Sequence, residues 1–338
     1  MVSDEGGRVA LGLDIGGTKA NALSNVDGTI YRYDTLRFQN PYEVIDAHLL
    51  NSGIKPEVIC LGMAAVRNHD GSMRLVKRDW PKFDPSEAET EYQGIKFVTT
   101  NDLIATAVGV VEVNAPVQSI KKGVKHDDDA SLVYAWSTGI GAAIVIPTDH
   151  GPVYLPTANG HAGLAPQQED EIEYLKFVSS QHKGKISTEF ALGGEDGMRN
   201  LLNFYYAKNP NDLQPFYTYV SSRYSEGIPI GGTLLEAAEN GEGTSQTMAR
   251  TALNLIGGLI GYALRNQVLS ADVREIKMTG SLSLGLLSYI AEHTSFLDRF
   301  VDKDARCAYI PEDTAIDLVL DPHVAVKGSL MIAEKELQ

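Results

Sequence analysis

Near the N-terminus an apolar run, Val9-Ala-Leu-Gly-Leu13, meets a carboxylate at Asp14, passes Ile15, turns at Gly16-Gly17-Thr18 and resumes as a second β-like run from Lys19 to Leu23. A chain with this pattern opens on a β-hairpin. Two readings of its turn stand. In one, the glycines take positive φ and present bare backbone amides to a bound oxyanion, while Asp14 at the strand end holds a hydrated divalent cation. That arrangement suits phosphoryl transfer. In the other, Gly16-Gly17 is a tight hairpin turn and nothing more.

At 338 residues the chain is long for a single core, so two lobes with a cleft between them are expected. Hydrophobic residues at 43% and charged residues at 22% describe a chain that folds throughout. The 29 basic and 44 acidic residues leave a formal charge of −15, and no Lys/Arg stripe occurs, which argues against nucleic acid as a partner. An anion bound by so acidic a chain is held locally, by backbone amides, a metal ion or a few placed cations. Cys60, inside Val58-Ile-Cys-Leu61, and Cys307 make neither a disulfide framework nor a zinc spacing, and Cys60 reads as a core thiol. The segment Met1-Val-Ser-Asp-Glu-Gly-Gly7 is unlike a leader peptide, and no apolar run reaches the about 18 residues of a membrane span. A soluble, cytoplasmic protein is expected.

Strand patterns occupy residues 8–15, 19–23 and 30–38, with a hairpin signal at Asp27-Gly28. A helical period follows over residues 42–50, then short buried strands at 57–64 and 95–99 and an Ala/Val-rich helix at 102–113. Residues 118–130, with Lys121-Lys122 and Asp127-Asp128-Asp129, read as a linker or surface loop, and the Asp triplet beside His126 as solvated charge rather than a metal site. Strands at 131–136 and 142–146 then flank Ser137-Thr-Gly-Ile-Gly141, repeating the first hairpin in outline. Helices are expected at 169–181, 195–207, 234–239 and 244–269; Gly257, Gly258 and Gly261 sit mid-helix, where they serve close packing rather than a dinucleotide fingerprint. A strand at 273–278, the turn Thr279-Gly280-Ser281, a helix at 284–292, a strand at 316–320 and a helix at 324–336 complete the chain. The expected lobes are residues 1–115 with 324–338, and residues 116–323.

No Walker A spacing exists: neither Gly184-Lys185 nor any other Gly-Lys pair has the needed flanking residues, and the protein-kinase motif set is missing. What remains is Asp14-Ile-Gly-Gly-Thr18, Thr100-Asn101-Asp102, Ser137-Thr138-Gly139-Ile-Gly141, Asn159-Gly-His161, Glu189 and Thr279-Gly280-Ser281, several of them polar groups at strand ends, where α/β ligand sites gather. On residue chemistry alone Asp102 is a helix cap, a general base, or both.

Taken in order along the chain, these blocks resemble the bacterial glucokinase family, within the hexokinase/actin-like ATPase superfamily. The strongest pieces are Leu13-Asp-Ile-Gly-Gly-Thr18, Thr100-Asn-Asp102, Thr138-Gly-Ile-Gly141, Asn159-Gly-His-Ala-Gly-Leu-Ala-Pro166 followed by Gln168-Glu-Asp-Glu171, and Ile186-Ser-Thr-Glu189 with Gly193-Gly194. The resemblance implies a two-lobed α/β fold of the actin-like ATPase/hexokinase kind (ribonuclease H-like), with mixed sheets flanked by helices and a cleft between lobes. It implies ATP-dependent phosphorylation of a hexose 6-hydroxyl, first of all glucose to glucose 6-phosphate in glycolysis, with ATP and Mg²⁺ as cofactors. A homodimer is compatible with it.

Residue by residue, the resemblance makes Asp102 the general base, with Asn101, Asn159, His161 and Glu189 on sugar hydroxyls. Gly16, Gly17, Thr18, Lys19, Thr138 and Gly139 would cradle ATP phosphates, Asp14 would lie near Mg²⁺ through water, and Gly280 and Ser281 would lie by the adenosine. Two departures stand out. The family usually has Pro-Gly-Glu-Gly-Gly-His, whose Glu holds glucose hydroxyls; here Pro156-Thr157-Ala158-Asn159-Gly160-His161 puts Ala158 at that position. Losing a buried polar partner costs on the order of 1–3 kcal/mol unless Asn159 or water substitutes. Lys19 stands where many members have Asn; Lys is usual there in sister sugar-kinase families, whose Cys-rich zinc loop this chain lacks. A kinase for another hexose or amino sugar, and a non-catalytic sugar or nucleotide-binding regulator on the same fold, are the alternatives. A Rossmann dehydrogenase is disfavoured because the first glycine pair leads into a strand rather than a helix.

Overall fold

The computed structural model describes residues 8–338 apart from Lys77 and Lys185; the polar N-terminal heptad and the lysine of Gly184-Lys185 lie outside the described residues. The chain divides into two compact units, Met1–Pro116 with Tyr154–Pro156 and His323–Gln338, and Val117–Val153 with Thr157–Pro322.

In the first unit, Ala10–Ile15 (β1) and Lys19–Ser24 (β2) form the opening hairpin, followed by Tyr31–Asp34 (β3), Pro41–Ser52 (α1), Val58–Met63 (β4), a small hairpin of Ala65–Arg67 (β5) and Met73–Leu75 (β6), Pro85–Glu91 (α2), Lys96–Asn101 (β7) and Asp102–Glu112 (α3). The sheet order is β3-β2-β1-β4-β7. The hairpin pairs are antiparallel, and β4 joins β1 and β7 in parallel. β4 is buried at every position, which is why its run is apolar without alternation, and Cys60 within it is a core thiol whose pKa burial pushes up. The strand expected over 30–38 ends at Asp34, whose carboxylate accepts the Leu36 N–H at 3.0 Å and starts a 3-10 turn at Thr35–Arg37.

The C-terminal helix, Val324–Lys335, packs on this sheet beside α3. Backbone touches backbone there. A Cβ at Gly109 of α3 would fall 1.8 Å from the Val324 carbonyl oxygen, one at Gly328 would fall 1.8 Å from that of Ala105, and one at Gly12 of β1 would fall 2.3 Å from the Leu330 nitrogen.

The second unit begins with Val117–Lys121 (β8), Ser131–Trp136 (β9), Ile140–Ile146 (β10) and Val153–Thr157 (β11). The helices Glu169–Gln181 (α4), Thr188–Leu192 (α5), Gly194–Lys208 (α6), Pro210–Ser225 (α7), Ile230–Asn240 (α8) and Gly243–Ala271 (α9) come next. Glu275–Thr279 (β12), Ser281–His293 (α10), Phe296–Val301 (α11), Tyr309–Asp313 (α12) and Ala315–Val319 (β13) close it. The sheet order is β11-β10-β9-β12-β13-β8.

Set aside β8 and the β5–β6 hairpin, and both sheets run third-second-first-fourth-fifth in chain order, each with an antiparallel first hairpin and parallel fourth and fifth strands. The two hairpins that look alike in the sequence therefore occupy the same place in two copies of one topology.

The expected loop over 118–130 is corrected at its start, because β8 is an edge strand paired antiparallel with β13. An edge strand with mostly exposed side chains carries no buried face to reveal it. Lys121 Nζ anchors it by donating to the carbonyls of Glu312 (2.6 Å) and Thr314 (2.8 Å). The mid-helix glycines of α9 are packing positions: a Cβ at Gly257 would meet Thr294 Oγ1 at 2.4 Å, and one at Gly261 would meet the Phe296 carbonyl oxygen at 2.4 Å. Among the described residues no helix is long and apolar enough to cross a membrane.

Candidate active site

Asp14 is the fifth residue of β1, directly opposite Asn21 of β2 in the antiparallel register. Asn21 Nδ2 donates to Asp14 Oδ2 at 3.3 Å. Burial raises the Asp14 pKa to about 6, and the Asn21 hydrogen bond only partly opposes this. A nearby cation would favour the charged form of a carboxylate held this way, so the residue has the chemistry to hold a hydrated divalent cation.

Beyond it the turn closes with the Gly16 N–H donating to the Lys19 carbonyl at 2.9 Å, and Thr18 and Lys19 are exposed. Neither Gly16 nor Gly17 takes positive φ. That expectation is corrected: the turn closes without a positive φ at either glycine, and a Cβ at Gly16 would only press to 3.3 Å from the Lys19 carbonyl oxygen.

At the end of β7, Asn101 is the N-cap of α3, with φ −67° and ψ 143°, its Oδ1 accepting the Leu103 N–H at 3.0 Å. Its Nδ2 donates to the Ala65 carbonyl of β5 at 3.3 Å. Asp102 is the first helical residue, and its Oδ1 shares the same Leu103 N–H at 3.0 Å. The N-cap position read for Asp102 thus belongs to Asn101, and the half-buried Asp102 carboxylate lies one residue on, in the first turn of the helix.

In the second unit the turn Ser137-Thr138-Gly139 between β9 and β10 is gripped from several sides. The Ser137 N–H donates to the Gly139 carbonyl at 2.9 Å, and the Gly194 N–H donates to the Ser137 carbonyl at 2.7 Å. Gly194 has φ +57°, and a Cβ there would fall 2.6 Å from the Thr138 carbonyl oxygen. Gly280, φ +99°, would place a Cβ 2.6 Å from the Trp136 carbonyl oxygen, while Ser137 Oγ and Ser281 Oγ lie 3.1 Å apart. Only glycine serves at both positions. The N-termini of α6 and α10, both longer than three turns, thereby converge on a turn whose Thr138 side chain is exposed.

The segment Ala158-Asn159-Gly160-His161 forms a 3-10 turn at Asn159–His161. A Cβ at Gly160 would fall 1.9 Å from the Ile140 carbonyl oxygen, so this turn lies flat on the first residue of β10. Ala158 and His161 are exposed. The Asn159 amide is buried, and neither its Oδ1 nor its Nδ2 has a hydrogen-bond partner. Glu189, on α5, accepts the Ile140 N–H through Oε2 at 3.1 Å, and Thr188 donates its N–H and its hydroxyl to the Ala162 carbonyl, each at 2.9 Å. The residues 138, 139, 159, 161, 189, 280 and 281 thus surround or brace one turn in this unit. Asp14, the Gly16–Lys19 turn and Asn101-Asp102 lie at the ends of β1 and β7 in the other. Among the described residues no three His, Cys, Asp or Glu side chains gather as a metal cluster, the Asp127–Asp129 run included.

Residues 11–336 match the sequence model of the family described as Glucokinase. The chain belongs to the glucokinase family. Its members are ATP-dependent sugar kinases. It is 28% identical over 310 residues to a glucokinase of Chromohalobacter salexigens, covering 89% of this chain and 90% of that protein. It is 27% identical over 324 residues to one of Marinobacter nauticus, covering 94% of each. Among solved structures it is similar to a glucokinase from Balamuthia mandrillaris in complex with glucose (TM-score 0.80, 18% identity, 98% of this chain and 95% of that one). A ROK family glucokinase from Streptomyces griseus in complex with glucose and AMPPNP is similar too (TM-score 0.66, 17% identity, 97% and 99%). At these identities the structural likeness establishes the two-lobed hexokinase-type fold.

Three residues that brace these turns carry no distinguishing signal in the sequence. Asn21 was unremarkable until strand register set it opposite Asp14. Ser137 was read as part of a turn, not as the partner of Ser281. Gly194 was one of two glycines in a block, and only its φ separates it from Gly193.

Proposed function

We propose that this member of the glucokinase family transfers the γ-phosphoryl group of ATP to the 6-hydroxyl of a hexose, with glucose the first candidate. Asp102 takes the proton of that hydroxyl as its oxygen bonds to phosphorus and the bond to ADP breaks, giving ADP and hexose 6-phosphate. The observation that carries the reading is the match of residues 11–336 to the glucokinase family, and it is supported by Asn101 occupying the α3 N-cap position, with Asp102 one residue on.

Asn101, Asn159, His161 and Glu189 bind sugar hydroxyls; Gly16, Gly17, Thr18, Lys19, Thr138 and Gly139 bind phosphates, and Gly280 and Ser281 line the adenosine. The unpartnered Asn159 amide supports its part, since a group that can both donate and accept has two bonds to offer a hydroxyl. Asp14 would hold a hydrated Mg²⁺, which would supply neutralisation of phosphate charge when bound. A cytoplasmic enzyme with small-molecule substrates and no nucleic-acid or membrane partner, compatible with a homodimer, completes the reading.

The test is ADP formation with Mg-ATP across glucose, mannose, fructose, glucosamine and N-acetylated amino sugars, against a blank without sugar. Sugar-dependent turnover names the substrate, and a glucose signal shows that Ala158 is tolerated. Nucleotide binding by folded protein with no turnover on any sugar overturns the kinase reading in favour of a regulator.

A further inference from the structure

Glu189 is placed to do more than touch a sugar. Its Oε2 holds the Ile140 N–H at 3.1 Å, and Ile140 is the residue that follows the Ser137-Thr138-Gly139 turn. The same residue is pressed on its carbonyl side by Gly160, where a Cβ would stand 1.9 Å from the oxygen. Ile140 is therefore held by its N–H from α5 and by its carbonyl from the Asn159–His161 turn, and α5 is itself fastened to that turn by the two Thr188 bonds to the Ala162 carbonyl. On the other side the peptide of Ser137 is bonded to Gly194, and the Trp136 Nε1 donates to the Leu192 carbonyl at 2.7 Å. Leu192 ends the five-residue helix of which Glu189 is the second residue. One short helix thus grips the strand before the turn through its last carbonyl, and the strand after it through the Glu189 carboxylate.

We infer that Glu189 is a positioning residue for the Ser137–Gly139 turn, so that a single carboxylate links the sugar-binding segment to the phosphate-binding backbone. This rests on the reading above of Thr138 and Gly139 as nucleotide contacts. The Ile140 N–H is a partly buried donor; without its acceptor it is left unpaired, and the turn loses its fixed point on the β10 side. A hydroxyl that bonds to the Glu189 carboxylate acts on the group that orders the turn, and by linkage any effect of sugar on nucleotide affinity is matched by an equal effect of nucleotide on sugar affinity.

The test reads nucleotide binding in the absence of sugar, where a residue serving only as a sugar contact has no influence. Affinity for Mg-AMPPNP is measured by calorimetry for the full chain, for Glu189→Ala and for Glu189→Gln, with thermal denaturation as the folding control. The Ala variant is expected to bind nucleotide roughly five- to tenfold more weakly, the scale of one lost hydrogen bond. The Gln variant, whose carbonyl oxygen can accept the same N–H, is expected to bind within about twofold of the parent while its KM for sugar rises. An Ala variant with parental nucleotide affinity overturns the inference and leaves the kinase reading intact. Should the Ala variant fail to fold, the Gln variant decides, because nucleotide affinity weakened together with sugar KM denies the separation. Absence of nucleotide binding by the parent protein instead overturns the functional reading itself, and the inference with it.

Discussion

Gly109 of α3 lies against Val324 at the start of the C-terminal helix, so closely that a Cβ at 109 would stand 1.8 Å from the Val324 carbonyl oxygen. Backbone atoms cannot swing aside as a flexible side chain can, so Gly109→Ala has to separate the two helices. It is expected to destabilise the protein by about 3 kcal/mol or more. Gly285 of α10, exposed and with open space where its Cβ would go, is the control: Gly285→Ala should be stabilising by roughly 0.5–1 kcal/mol through helix propensity alone. Urea unfolding of both variants checks the contrast, and equal effects would contradict it.

Asp102 and Asn101 separate chemistry from capping. Asp102→Asn should lower turnover by about 10²-fold or more while leaving nucleotide affinity and helix stability nearly unchanged. Asn101→Ala should cost about 1 kcal/mol in unfolding free energy through the lost cap and raise sugar KM. Steady-state kinetics beside denaturant titration distinguishes the two, and a turnover-competent Asp102→Asn removes it from the mechanism.

The Asn159 amide is buried with both polar atoms unpartnered, a cost borne by the ligand-free protein. Asn159→Ala is therefore expected not to lower the melting temperature, yet to weaken sugar binding. Ala158 beside it is exposed, which leaves room for Ala158→Glu to restore the carboxylate usual in the family and tighten glucose binding. Calorimetric glucose titration of the two variants checks both signs; no gain from Ala158→Glu in a folded protein means the pocket is built for a different sugar.

His48 of α1 is fully buried, with the Tyr33 hydroxyl 3.0 Å from its Nδ1 and the Tyr31 and Tyr33 rings edge-on. Burial lowers its pKa, and the Asp27 carboxylate opposes this only in part. Below about pH 6.5 the unfolded chain takes up a proton that the folded chain resists, so this contribution is present above that pH and is lost on acidification. The parent should lose stability relative to His48→Leu between about pH 7.5 and about pH 5. Urea midpoints at the two pH values measure it, and a difference that does not change with pH would refute the assignment.

Much of the architecture could be read from the chain because its signals are local. Buried parallel strands such as β4 are apolar throughout, α4 spans the residues its periodicity marks out, and the polar blocks at strand ends keep their order along the sequence. Elements with weak local signals were harder. α7 begins at Pro210 and contains Pro215, and its polar pattern conceals a helix whose buried face is only Leu213, Phe216 and Val220. β8 is a mostly exposed edge strand.

Within the candidate site the sequence by itself determined which chemical groups are available: Asp14, Asn101, Asp102, Asn159, His161, Glu189 and the glycine turns. Tertiary structure decided what each is committed to. Gly16 and Gly17 carry no positive φ, whereas Gly194 and Gly280 do, because those two must pass over the Thr138 and Trp136 carbonyls. Asn101 rather than Asp102 is the cap, and Glu189 holds Ile140 from 49 residues away. Periodicity and composition report how a residue relates to its chain neighbours; which backbone amide a carboxylate meets, and which glycine another strand crosses, depend on contacts that form only when distant segments pack.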